Sequence, residues 1–164
     1  MNYIATTIEN ICGNLCKLLI PVRTRYVEGE AKDIAICTLS SFDLLEKISK
    51  DQALMKKIVL VGRLLSENKG IDAIIRYSKQ NELLDHIILC GIDTNGHHAG
   101  SSLLALIDKG IDQEGRILNS TGYRPNLAVS HDDVERFRKK VSVHNLLGIV
   151  DIEFIRNYVD HISS

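Results

Sequence analysis

Short apolar runs alternate with amphipathic stretches along most of this chain. Ile34 to Leu39 (IAICTL), Ile58 to Val61 (IVLV) and His86 to Cys90 (HIILC) are nearly continuous apolar runs, the pattern of strands buried on both faces. Each is followed by a polar loop and then by apolar residues at helical spacing. The spacing predicts a helix from about Asp43 to Lys50, one carrying Ile71, Ile74, Ile75 and Tyr77, and one from Ser101 to Asp108 closed by Gly110 as a C′ residue. Arg116 to Leu118 reads as a short strand. Ser130 and Asp133 have capping-box spacing before a helix to Lys140, Val141 to Leu147 reads as a last strand, and Asp151 caps a final helix with Ile152, Ile155, Val159 and Ile162 on one face. Ahead of all this, Ile4, Ile8, Ile11, Leu15, Leu18 and Leu19 predict an amphipathic helix stopped by Pro21, with a polar linker through Gly29 and Glu30.

The alternation predicts an α/β fold: a single Rossmann-like domain, with a mainly parallel sheet and helices on both faces. Residues 1–30 form its N-terminal helix and linker, and 31–164 the domain proper. At 164 residues the chain can bury a core without metal or disulfide. Its 45% apolar and 25% charged residues argue against disorder. A net charge of −1 offers no global field for nucleic acid or an anionic membrane. The dense basic cluster of Arg136, Arg138, Lys139 and Lys140 reads as a solvated helix end favoured by the macrodipole. No run approaches the roughly 20 apolar residues that span a bilayer, and the start lacks a secretory pattern, so a cytoplasmic protein is expected. Cys37 and Cys90 fall within strand-like runs and read as small buried hydrophobes, and Cys12 and Cys16 as core packing on one helix face.

A parallel sheet gathers the loops that follow its strands on one edge, where ligands bind. Ser40–Ser41, Leu64–Asn68, Asp93–His98 and Ser120–Asn126 should therefore converge. They are rich in small and amide side chains, a lining suited to a large polar or amphiphilic ligand. No GxGxxG or Walker loop follows any strand, which excludes those phosphate cradles. His97 and His98 stand at the centre of this edge. Three readings are open: a histidine capping the following helix, a metal-dependent hydrolase site using both rings, and axial ligation of a cofactor metal by one imidazole. The third asks for one histidine, not a set of ligands.

Three stretches carry a resemblance: VGRLLSENKGID at 61–72, ILCGIDTNGHHAGSSLLAL at 88–106 and VERFRKKV at 134–141. In that order they resemble the corrinoid-carrying A subunit of tetrahydromethanopterin:coenzyme M methyltransferase of methanogenic archaea, over most of residues 34–155. The resemblance implies a cobalamin-binding methyl carrier with His97 as lower axial cobalt ligand, Gly96 and Gly100 flanking it in a G-H-x-x-G setting. Asn95-x-His97-x-x-Gly100 also parallels the DxHxxG motif of other cobalamin modules, with an amide in place of the acid. By position in the predicted fold, Leu64, Ser66, Glu67, Asn68, Asp93, Thr94, Asn95, His98 and the turn from Gly122 to Pro125 are further pocket candidates. The implied reaction takes the N5-methyl group of methyl-tetrahydromethanopterin to cob(I)amide and then to the thiolate of coenzyme M, with partner methyltransferase proteins. A corrinoid store or sensor would share the same pocket. The family's C-terminal hydrophobic anchor has no counterpart before Ser164, so a soluble homologue without a membrane anchor is expected.

Overall fold

The computed structural model describes residues 26–163. The expected N-terminal helix, Cys12 and Cys16 lie outside the described residues. Within them, β1 (Tyr26–Glu28), β2 (Ile34–Cys37), β3 (Leu60–Gly62), β4 (His86–Gly91) and β5 (Ser142–Leu147) form one sheet in the order β1-β3-β2-β4-β5. All neighbours pair in parallel except β1, which runs antiparallel along β3 with Val27 opposite Val61. Residues 26–28, expected as polar linker, are thus an edge strand. Only three residues pair, and their exposed Tyr26 and Glu28 hide the period-2 signal.

The six helices among the described residues are α1 (Phe42–Lys50), α2 (Gln52–Met55), α3 (Lys69–Gln80), α4 (Ala99–Lys109), α5 (His131–Lys140) and α6 (Ile152–Ile162). The strands' two faces explain their placement. Ala35, Cys37, Ile87 and Leu89 point to one side, where they meet Ile71 and Ile75 of α3, Leu103 and Leu106 of α4, and Phe137 of α5. The intervening Ile34, Ile36, Ile88 and Cys90 point to the other, against Leu44 and Ile48 of α1, Leu54 of α2, and Ile155 and Val159 of α6. This is the mixed α/β architecture expected, with helices on both faces. Burial pushes the Cys37 thiol up to about 12 and raises that of Cys90, so both are unreactive at neutral pH.

The chain runs from β2 outward to β3, then crosses back to place β4 on the opposite side of β2. The direction reverses between β2 and β4. The dinucleotide-binding order, in which three strands step outward before the reversal, does not occur. The helices that follow β2 and β4 go to opposite faces of the sheet at this point, which is where open α/β sheets place their ligands. Gly91 ends β4 at φ 80°, and a Cβ there would lie 2.5 Å from the Thr38 carbonyl oxygen. Only glycine lets these two loops approach so closely.

Two further expectations need correction. Arg116–Leu118 forms no strand; isolated bridges pair Ile111 with Ile117 and Arg116 with Asn126 in an irregular excursion between α4 and α5. Asp72 on α3 holds that excursion through the amides of Ala128 and Val129. Nor is the basic cluster simply solvated. Arg138 donates to the carbonyls of Ile107 and Asp108, and Lys140 to those of Ser78 and Asn81. These are carbonyls at the ends of α4 and α3, which lack partners within their own helices. Arg136 and Lys139 remain exposed.

On the α6 side, His144 of β5 sits between His86 of β4, 3.0 Å from its Nε2, and the Tyr158 hydroxyl, 3.0 Å from its Nδ1. Burial, and then the neighbouring His86, hold His144 below the ordinary histidine pKa. The folded state therefore binds fewer protons than the unfolded chain between the depressed value and the unfolded one of about 6.5. Its contribution is full above that window and falls as pH drops through it. Urea unfolding at pH 7.5 and pH 5.5 should show wild type losing more stability over this interval than His144→Gln, whose amide does not titrate.

Candidate functional site

The loop after β4 carries two exposed imidazoles, His97 and His98, and is held in place by its own side chains. Asp93 turns back onto α4: Oδ1 accepts from the amides of Thr94 and Gly100, both at 2.8 Å, and Oδ2 accepts from the amide and hydroxyl of Ser101 at 2.9 and 2.7 Å. Burial works against its charge, and these donors outweigh burial, so its carboxyl lies below the usual range. Thr94 Oγ1 accepts from the Ala99 amide. The helix start is thus satisfied by Asp93 and Thr94. His98, in the left-handed conformation at φ 46°, caps nothing with its side chain. The helix-capping reading of the two histidines does not hold. It also follows that the α4 N-terminus already has its anion and is not an open phosphate site. Asp93→Ala removes all four bonds and is expected to cost about 2 kcal/mol in stability, the upper end for a lost cap, measured by thermal or urea unfolding.

His97 is the residue this loop presents. Its side chain is 57% exposed, yet Nδ1 lies 2.8 Å from Oε2 of Glu67, which is 1% exposed. Oε1 of the same carboxylate accepts from the Arg124 amide at 2.7 Å. Desolvation opposes the charge on Glu67, but the Arg124 amide, its own amide and His97 overcome it, and the pKa is lowered. An ionised carboxylate only accepts, so Nδ1 carries the proton. In the neutral ring the lone pair is then on Nε2. Metal-ligating histidines have this arrangement, with the second nitrogen fixed by a carboxylate or carbonyl. The acid that Asn95 does not provide comes instead from the loop after β3.

The third wall is the turn at Gly122–Pro125. A Cβ on Gly122 would fall 2.7 Å from both Glu67 Cγ and the His97 carbonyl oxygen, so the backbone touches both partners of the pair. Ser120 fixes the turn, its hydroxyl 2.7 Å from that of Ser102 and accepting from the Gly122 amide. Sequence reading did not single out Ser102, whose place in the first turns of α4 gave no sign of a partner 18 residues on. Pro125 is buried and its carbonyl accepts from Ile117.

The remaining candidates divide by role. Ser66 and Asn68 accept from the amides of Gly70 and Lys69 and cap α3. Leu64 is core, and Gly100 is buried where a Cβ would press on Leu39 and Leu147. Ser40 and Ser41 tie the β2 loop to Ile92 through hydroxyl bonds of 2.7 and 2.9 Å. Asn95, Gly96 and His98 are exposed beside His97. The apolar side chains of Leu65, Ile92, Tyr123 and Val150, from the loops after β3, β4 and β5 and the Gly122 turn, are exposed too. Among the described residues no three His, Cys, Asp or Glu side chains converge as metal ligands, the set that a zinc hydrolase site asks for.

The sequence profile of the tetrahydromethanopterin S-methyltransferase A subunit matches residues 20–164. The chain belongs to this family. The A subunit of the Mtx methyltransferase of Methanosarcina acetivorans is 35% identical over 142 residues, which are 85% of this chain and 68% of that protein. Its counterpart in Methanosarcina mazei is 40% identical over 100 residues, 60% of this chain and 58% of that protein. The second of the tetrahydromethanopterin S-methyltransferase A subunits of Methanothermobacter marburgensis is 31% identical over 137 residues, 82% of this chain and 71% of that protein. The family match takes in every element of the sheet edge just described, from the Glu67 loop to the Gly122 turn. Relatives named as components of a methyltransferase make partner proteins an expectation for this family member. Among its described residues no helix is long and apolar enough to cross a membrane.

Proposed function

We propose that this chain is a cytoplasmic cobalamin carrier in a methyl-transfer system of the tetrahydromethanopterin S-methyltransferase type, with His97 as lower axial ligand of cobalt. The observation that carries the reading is the His97–Glu67 pair: one outward imidazole, its Nδ1 proton held by a buried carboxylate and its Nε2 left for a ligand arriving from solvent. The residues fit a cobalt corrinoid. Such a cofactor asks the protein for one nitrogen donor and a broad, amphiphilic surround, not a cage of ligands.

When bound, the corrinoid supplies a cobalt centre able to accept a methyl group and pass it on. The chain's own residues bind and orient. Nε2 of His97 offers the donor atom, and Glu67 keeps the Nδ1 proton in place and the ring in one orientation. Asp93 and Thr94 hold the loop through α4, while the Arg124 amide fixes Glu67 from the other side. Among the described residues the two cysteine thiols, Cys37 and Cys90, are buried in the sheet. On this reading the donor, methyl-tetrahydromethanopterin, and the acceptor, the coenzyme M thiolate, are handled by partner methyltransferase proteins.

Purified protein mixed with cobalamin and passed through gel filtration is expected to carry the corrinoid absorbance with it, with visible bands shifted from those of the free cofactor. Elution of colourless protein would sink the carrier reading. Turnover with candidate methyl donors and partner proteins then separates a carrier from a store, which would bind the corrinoid and exchange no methyl group.

A further inference from the structure

Each oxygen of Glu67 has a different partner: Oε2 holds His97, and Oε1 holds the backbone of Arg124. The segment Tyr123–Arg124 is therefore fixed two hydrogen bonds from the imidazole. Its side chains, by contrast, are turned to solvent. Tyr123 is 74% exposed, and the Arg124 guanidinium stands 5.3 Å from the centre of its ring. An aromatic face at that distance restrains a guanidinium and leaves its in-plane N–H donors free.

The charges around it are already spent. Asp93 and Glu67 are satisfied by their own donors, and no carboxylate pairs with Arg124 among the described residues. Arg63, the nearest cation in the β3 loop to the strand end, gives its donors to the carbonyls of Leu39 and Ser40. Arg124 is thus an exposed cation with no carboxylate partner, on a segment whose backbone lies against His97 and Glu67.

Resting on the carrier reading above, we propose that Tyr123 and Arg124 are a specificity arm of the His97 site, with Arg124 binding the phosphodiester of the cofactor's nucleotide tail. A complete corrinoid carries one anionic group, the phosphodiester of the tail that hangs from its lower face. When a protein imidazole takes the lower axial position, that tail lies on the protein side of the ring, the side that carries the His97 loop and the Tyr123–Arg124 segment packed against it. Guanidinium donors match a phosphodiester's two oxygens in bidentate fashion.

Cobalamin, and cobinamide lacking the nucleotide tail, are titrated by visible absorbance into wild type, Arg124→Gln and Lys69→Gln, with unfolding curves recorded for each. Lys69 is an exposed cation at the start of α3, on the same edge, whose backbone is not tied to Glu67. Cobinamide has no base to displace from cobalt, so the readout is each ligand's change on substitution. Arg124→Gln is expected to weaken cobalamin about tenfold and leave cobinamide unchanged, with Lys69→Gln affecting neither. Equal effects of Arg124→Gln on both ligands, or no effect on either, overturn the assignment. So does a Lys69→Gln loss matching that of Arg124→Gln, which traces the effect to overall charge. Wild type that binds neither corrinoid overturns the carrier reading itself.

Discussion

Replacing His97 by alanine is expected to weaken cobalamin binding by on the order of 100-fold or more and to abolish the shift of the cofactor's visible bands. Loss of a partner that merely orients a metal-ligating histidine typically costs roughly 10- to 100-fold in affinity, and loss of the donor atom itself should reach at least the top of that range. The fold should survive. The ring is more than half exposed, so the main folding cost is a Glu67 carboxylate left with one donor fewer, about 1 kcal/mol. Added imidazole should enter the vacated space and restore part of the band shift in His97→Ala. That rescue separates ligation from a general loosening of the loop. An unshifted affinity in the variant would remove His97 from the site.

Glu67→Gln is the sharper substitution, because it preserves shape and changes only the pattern of donors. Both carboxylate oxygens accept, one from His97 and the other from the Arg124 amide. A glutamine can accept on one side only. Whichever way its amide turns, either the Arg124 N–H faces an NH₂ group, or His97 Nδ1 must become the acceptor and move its proton to Nε2. The first outcome strands a buried donor, at about 1–3 kcal/mol of stability. The second occupies the nitrogen that the cofactor needs. With the oxygen toward Arg124, cobalamin affinity is expected to fall roughly 10- to 100-fold; with the oxygen toward His97, the unfolding midpoint is expected to fall and the affinity to change less. Isothermal titration and thermal unfolding of the same preparation distinguish the two. Wild-type behaviour in both would mean that the carboxylate does not set the tautomer.

Much of the architecture is written in local patterns. β2 and β4 are continuous apolar runs because both their faces are covered, and such runs are hard to mistake. The helix ends at Gly110, Ser130 and Asp151 announce themselves through residues whose backbone freedom or side-chain oxygen does the capping within a few positions. β1 was not legible: three residues on a sheet edge, half exposed, carry too little periodicity. α2 is likewise a single turn, set by Asp51 accepting from Ala53 and Leu54.

The site shows the same division. Its location followed from the strand-loop-helix pattern, and Glu67 entered as a candidate by position alone. Its bond to His97 joins loops 30 residues apart, and no spacing rule signals a contact at that separation. Asn95 pointed away from it, because the motif looks for the acid two residues before the histidine. Arg138 and Lys140 misled for a related reason. Their partners are carbonyls on other helices, invisible to a reading that sees only charge at a helix end.

The central claim is that the nitrogen on cobalt comes from His97. Protein grown with ¹⁵N-histidine, all other nitrogen being ¹⁴N, and loaded with cobalamin reduced to the Co(II) form would test it by electron paramagnetic resonance. A bound ¹⁵N nucleus splits each cobalt line into two, and a ¹⁴N nucleus splits it into three. Doublets in wild type that vanish in His97→Ala are the predicted result. Triplets in labelled wild type would show that the cofactor's own base still holds the cobalt, and would contradict the account.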